Sequence, residues 1–252
     1  MIRRVVCASL LMVLGGCATS APGTAGTAAS GPLVGTTCAD VVVLGIRGSG
    51  QAADLNHGVG KEVLRTVTDL ARRAAARSGS TLRLEAVPYD ASGTATEPGY
   101  FQHVAAGARL ARRQADAVLA RCPRTRIGVV GFSQGAQVVH ELADDVPTSL
   151  ARRVVLVGLI ADPRRNPADR IRHWAYADRP VPRPGLLGAG DPVDSEVRGA
   201  TISFCNAYDE VCNGRGIRGE KTSAAHRLFY ERPATAAATA RQLDAVLAAN
   251  GV

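Results

Sequence analysis

Apolar positions fall along this chain in two rhythms. Continuous β-branched runs alternate with stretches in which apolar residues recur at three and four. Ala39 to Ile46, Thr125 to Phe132 and Val154 to Ile160 are unbroken apolar runs, the pattern of strands buried on both faces. Leu82 to Val87 alternates apolar and charged residues and stops at Pro88, which predicts a strand nearer an edge. Thr201 to Phe204 predicts a short fifth strand. Between these lie helical patterns. Val59, Val63, Leu64, Val67 and Leu70 share one side of 58–76, and Phe101, Val104, Ala108, Ala111, Ala115 and Val118 form a stripe along 100–121. Helices are also predicted after residue 135, at 226–230 and at 235–249. Strands alternating with helices imply a parallel sheet covered on both faces. In such a sheet a site lies outside the carboxyl ends of the strands.

Residues 163–199 fit neither rhythm. They form a stretch of about 37 residues rich in Pro, Gly and Arg, a length that is uncommon without a function. Trp174, Tyr176, Leu186 and Leu187 within it are read as either a partial flap over a site or a core patch.

The first residues are predicted to be a targeting segment. Arg3-Arg4 precede an apolar stretch from Val5 to Leu14 that is too short to span a bilayer, and Leu14-Gly15-Gly16-Cys17 follows. This resembles a bacterial lipobox ending at Cys17, whose thiol would carry the lipid. Cleavage near Ala18 or Ala21 by a secretory peptidase is the alternative. Either way the protein is expected to be exported. Residues 18–37 read as a flexible tether, and about 18 residues of it would reach roughly 20–25 Å. The remaining 38–252 is expected to be one catalytic domain.

Cysteine usage agrees with export. Of six cysteines, Cys7 leaves with the leader and Cys17 would be lipidated, leaving Cys38, Cys122, Cys205 and Cys212. Three connectivities are possible. The simplest pairs Cys205 with Cys212 and Cys38 with Cys122, the latter closing a loop of about 85 residues worth on the order of 4 kcal/mol. No Cys-x-x-Cys or paired-histidine spacing points to a metal.

Hydrophobic residues make up 46% and aromatics 4%, so the core must be built from Val, Leu, Ile and Ala. The net charge of +8 comes almost wholly from scattered arginines, with Lys61 and Lys221 the lysines. Without a basic block interleaved with aromatics, nucleic-acid binding is not expected. The charge reads as a solvated surface, with attraction to anionic envelope material the other reading.

The third strand runs into Gly131-Phe132-Ser133-Gln134-Gly135, a G-x-S-x-G pentapeptide followed by a helical stretch. Strand, sharp turn and helix make the context of a nucleophile elbow. The plain alternative is a turn with Ser133 as a cap. A serine nucleophile needs a general base, and the base needs an orienting group. Among His57, His103, His140, His173 and His226, the last follows the final strand and is the expected base, with His173 the alternative. His140 lies on the elbow helix and is expected to point away. Asp209 is the expected acid because Cys205 and Cys212 bracket it; Glu210, Asp191 and Asp194 are weaker competitors. An oxyanion hole would take the N–H of Gln134 and a donor from Ser49, in the loop after the first strand. A plain turn is the alternative for that loop.

Together these residues resemble the cutinase family of serine esterases. The matching positions are Arg47-Gly48-Ser49, Cys122-Pro123, Gly131 to Ala136, Cys205-Asn206 with Asp209 and Cys212, and His226 with Tyr230. The resemblance spans about residues 38 to 249. It implies a three-layer α/β/α sandwich on a five-stranded parallel sheet, of α/β-hydrolase type. It implies a Ser133–Asp209–His226 triad, an oxyanion hole at Ser49 and Gln134, and no cofactor. The expected partner is an ester or lipid substrate, the expected state a monomer held at a membrane by its anchor. The lipobox and the Ala/Arg-rich style resemble the actinobacterial branch, whose members act on lipid esters; phospholipase A, thioesterase or acyl-transfer activity are variants on the same fold. The long 163–199 segment and the basic Arg215, Arg218 and Lys221 depart from the family pattern. The rival reading is a non-catalytic lipoprotein that binds envelope lipid.

Overall fold

The computed structural model describes residues 33–94, 97–214 and 222–252. The expected leader, Cys17, most of the tether and the basic run at 215, 218 and 221 lie outside the described residues.

The sheet is wholly parallel. Strands β1 (Val41–Ile46), β2 (Leu82–Ala86), β3 (Arg126–Phe132), β4 (Val154–Ile160), β5 (Arg172–Ala175) and β6 (Thr201–Cys205) are ordered β2-β1-β3-β4-β6-β5. The sheet therefore has six strands rather than the expected five. The added strand, β5, reads Arg-His-Trp-Ala and pairs on one side only, with Arg172 and His173 exposed. An edge strand needs no apolar run, so the hydrophobic pattern does not mark it.

Two apolar layers cover the sheet. On one face Val63, Val67 and Leu70 of α1 (Lys61–Ser78) and Leu243 and Leu247 of α6 (Pro233–Ala249) pack on Val41, Val43 and Leu156. On the other, Val104 and Ala111 of α2 (Tyr100–Arg121) and Val138 and Val139 of α3 (Gln134–Asp144) pack on Val42, Leu44 and Val129. The result is the expected three-layer sandwich. Two short helices complete it, α4 (Thr148–Ala151) and α5 (Ala224–Arg227).

The end of the expected tether is tied down. Leu33 O accepts from Leu84 N–H at 2.9 Å, and Val34 forms a parallel bridge with Leu84 on the outer edge of β2. Cys38–Cys122 and Cys205–Cys212 are disulfides, the simplest of the three connectivities.

The 163–199 segment is a core patch rather than a flap at its aromatic positions. Tyr176 is buried, its ring 5.8 Å from those of Trp174 and Tyr230 and 5.0 Å from that of Phe229. Leu186 and Leu187 are pinned through their N–H groups to Val211 O and Pro163 O.

β2 lies on one side of β1 and β3 on the other, so the chain reverses direction across the sheet between β1 and β3. The crevice at that reversal is where a doubly wound sheet binds its ligand. Both the loop after β1 and Ser133 after β3 open into it.

Candidate active site

Ser133 occupies the turn between β3 and α3 with φ 55° and ψ −120°. A non-glycine residue there is strained by about 1–3 kcal/mol, a strain that functional sites tolerate. The flanking glycines are required by close approach. A Cβ on Gly131 would stand 2.2 Å from Gly135 O, and one on Gly135 would stand 2.2 Å from Ile46 O. The pentapeptide thus lets α3 lie against β3 and β1 while the serine projects from the turn.

His226 Nε2 lies 3.0 Å from Ser133 Oγ. Its Nδ1 lies 3.0 and 3.1 Å from the two oxygens of Asp209. With Nδ1 carrying the proton toward the carboxylate, Nε2 presents its lone pair to the serine hydroxyl. The imidazole stacks on Phe132, ring centres 5.1 Å apart. Asp209 is fully buried, and a buried carboxylate must be satisfied by donors. Oδ1 accepts from Val211 N–H at 2.8 Å and Oδ2 from the Tyr230 hydroxyl at 2.8 Å. Tyr230 itself accepts the Asn206 N–H at 2.9 Å, and burial, with Asp209 beside it, pushes its pKa far up, so the phenol stays a donor.

The short disulfide loop reaches the histidine by a second route. Glu210 accepts from both the N–H and the hydroxyl of Ser223, each at 2.6 Å. Ser223 caps α5, the helix carrying His226. Glu210, considered above as a rival acid, instead braces the helix that carries His226. Sequence reading missed this, and its one local signal is Ser223 three residues before His226.

The loop after β1 is fixed from several sides. Arg47 Nη2 donates to Tyr89 O at 2.6 Å, and the Tyr89 hydroxyl donates back to Arg47 O at 2.7 Å. Gln51 accepts the Gly48 N–H at 2.7 Å and donates to buried Glu62 at 2.8 Å, a carboxyl whose pKa burial raises. A Cβ on Gly48 would stand 3.3 Å from that of Ser133, so the loop lies against the serine. The Ser49 hydroxyl donates to Gly93 O, which leaves its backbone N–H as the group free to donate. Gln134, the first residue of α3, has no intrahelical acceptor for its own N–H.

The other candidates lie elsewhere. His173 bonds to Asp169 O at 3.1 Å. Asp194 accepts the Glu196 N–H. His140 is buried, with Nδ1 2.6 Å from Asp162 and Nε2 2.8 Å from Asp191 O. Burial opposes its charge, but Asp162 outweighs it and the pKa stands at about 9. Among the described residues no group of three or more His, Cys, Asp or Glu could hold a metal ion.

A parallel sheet with a strained serine elbow at its reversal point, backed by an imidazole and a buried carboxylate, defines a serine ester hydrolase of the α/β-hydrolase type. The family model described as Cutinase matches residues 37–241, and the chain belongs to the cutinase family. It is 27% identical over 212 residues to a cutinase of Botryotinia fuckeliana, covering 84% of this chain and 86% of that one. It is 28% identical over 179 residues, 71% of each chain, to Carboxylesterase Culp1 of Mycobacterium bovis. Among solved structures, Trichoderma reesei cutinase in complex with a phosphonate inhibitor matches with a TM-score of 0.55 at 25% identity, covering 84% of this chain and 80% of that one.

Proposed function

We propose that the protein is an exported carboxylester hydrolase that cleaves short-to-medium acyl esters or lipids through an acyl-enzyme on Ser133. The observation that carries this reading is the continuous relay from Ser133 Oγ through His226 to Asp209. His226 takes the serine proton as Oγ attacks the ester carbonyl. The N–H groups of Ser49 and Gln134 receive the developing oxyanion. His226, now an imidazolium held by Asp209, protonates the leaving alcohol. Water then attacks the acyl carbonyl and gives its proton to His226, which returns it to Ser133 Oγ as the bond to the serine breaks and the acid leaves.

The apolar side chains left exposed support a lipidic substrate. Leu55, Phe101, Tyr208 and Leu228 are between 46% and 60% exposed. Leu55, Phe101 and Tyr208 lie on segments that follow β1, β2 and β6, and Leu228 follows His226, so the four sit around the carboxyl end of the sheet. The two disulfides fit export, and no helix among the described residues is long and apolar enough to cross a membrane. Membrane attachment through a lipid on Cys17 rests on the Leu14-Gly15-Gly16-Cys17 sequence, and the intact mass of detergent-extracted protein tests it.

The reaction is tested with Ser133→Ala. Hydrolysis of p-nitrophenyl butyrate and covalent labelling by a fluorophosphonate should both vanish while the thermal melt is kept. Turnover by a folded Ser133→Ala variant would overturn the assignment, and a folded parent that stays unlabelled would favour the non-catalytic lipid binder.

A further inference from the structure

A groove of about 340 Å³ opens beside the Asp209–His226 pair, between the turn after β5, the loop after β6 and the segment joining α5 to α6. Its size is at the small end of ligand sites. Tyr176, Tyr208 and Phe229 give it aromatic walls, and Arg179, Arg232 and Asn206 supply its polar groups. Neither Ser133 nor His226 lines it, although Ala225, next to His226, does.

The charge of the groove is unusual. Arg179 stands over the Tyr208 ring at 5.2 Å and Arg232 over the Phe229 ring at 5.6 Å. Neither guanidinium has an ion pair or a hydrogen bond among the described residues, whereas neighbouring Glu231 is already matched by Lys61 at 3.7 Å. Stacking occupies the flat face of a guanidinium and leaves its in-plane N–H donors free. Those donors suit the two oxygens of a carboxylate. Arg232 is also the N-cap of α6, a 17-residue helix with Pro at its start and no acidic residue in its first turn. The dipole of that helix adds positive potential at the same mouth.

Two unmatched guanidinium groups at the rim of an aromatic groove call for a ligand with an anionic head and an apolar body. We infer that this groove is a second, non-catalytic site, and that it takes the medium-chain carboxylate released by ester cleavage. The head lies on Arg179 and Arg232, and the hydrocarbon lies along Tyr176 and Phe229. The choice of a carboxylate rests on the esterase reading, since that reaction delivers an acid next to Ala225. The presence of an anion site does not.

Trp174 is the single tryptophan of the chain and meets Tyr176 edge-on at 5.8 Å, so its emission reports on the groove. The full chain, with Ser133 blocked by a fluorophosphonate, is titrated with sodium decanoate below its micelle concentration. A saturable change in emission is expected, with affinity falling at least tenfold in the Arg179→Gln/Arg232→Gln variant. Both arginines are exposed, and coincident thermal melts check that the variant is folded. Equal affinity in that variant, equal binding of a neutral alkyl maltoside, or no saturation would overturn the site. Tighter binding of decyl phosphate than of decanoate would overturn the carboxylate assignment. Failure of the fluorophosphonate to label Ser133 would count against the esterase reading alone, because the titration of unlabelled protein still reads the groove.

Discussion

The Tyr230 hydroxyl donates to Asp209 Oδ2 at 2.8 Å while accepting the Asn206 N–H at 2.9 Å. One buried phenol thus ties the carboxylate to the start of its own disulfide loop. Asp209 has three close donors, His226 Nδ1, the Val211 N–H and the Tyr230 hydroxyl; Val211 belongs to the disulfide loop, and Tyr230 reaches in from beyond the histidine. In the proposed reaction Tyr230 is a positioning residue, acting through Asp209.

Tyr230→Phe should therefore lower kcat about tenfold with little change in KM, the loss expected for one hydrogen bond to a charged group. Its pH profile separates this from simple loosening. Without the phenol, Asp209 keeps more charge for His226, the imidazolium is stabilised, and the acid limb of kcat/KM should move to higher pH. A fall in rate that only follows the fraction of folded protein, with the limb unmoved, would reduce Tyr230 to a packing residue.

The two disulfides should fail in opposite ways. Cys38–Cys122 spans 84 residues and Cys205–Cys212 spans 7. Loop entropy assigns the first about 4–5 kcal/mol and the second about 2–3 kcal/mol. Replacing the first pair with serine should lower Tm more and leave the kcat of folded protein near the parent. Replacing the second should lower Tm less and kcat more, because that loop carries Asp209 and, through Glu210, the cap of α5. Thermal melts and turnover on the same two samples decide it. An equal kcat in both would show that the short loop holds its shape unaided.

Central strands were legible in the sequence because burial on both faces demands an unbroken apolar run, as in β1, β3 and β4. The elbow was legible because its glycines answer to backbone clashes that any neighbouring sequence would meet. Asp209 stood out through its bracketing cysteines, a covalent signal that survives without knowledge of the fold. What escaped were features made by tertiary pairing. β5 has no apolar run because it is an edge. The brace from Glu210 to Ser223 joins residues whose types are ordinary on any surface. His140 was expected to point away from the serine, but nothing local shows that it meets Asp162, 22 residues later and just past the end of β4.

Gly135→Ala should be among the most damaging single substitutions in the chain. The added Cβ would meet Ile46 O at 2.2 Å and Arg47 O at 2.5 Å, both backbone atoms that cannot swing aside. Relief requires moving α3 off β1, at a cost of about 3 kcal/mol or more. A large fall in Tm, or loss of soluble protein, is expected. Gly50→Ala is the control, since a Cβ there meets nothing within 4 Å and adds only the strain of φ 69°. Its Tm should fall by far less.

His140 should make the protein lose stability as pH rises through the mildly alkaline range. Its pKa is about 9 in the fold, against about 6.5 for an unfolded histidine, so the folded state holds the proton more tightly. The sign follows from linkage: the contribution is complete below about 6.5 and disappears as pH passes about 9. The structural reason is donor count. The imidazolium donates to both Asp162 and Asp191 O, whereas the neutral ring has one proton for two buried acceptors. Neighbouring groups do not mask the window. Burial pushes Asp144 up to about 6, which also favours lower pH but titrates below it, and the buried tyrosines Tyr89, Tyr100, Tyr176 and Tyr230 are raised above the usual phenol range. His173 is lowered by burial and so acts below about 6.5. Between pH 6.5 and 9 the parent should lose on the order of 2 kcal/mol, and His140→Gln, which cannot gain or lose the proton, should lose far less. Thermal melts of the two proteins across that range should converge as pH rises; parallel curves would show that His140 carries no extra proton in the folded state.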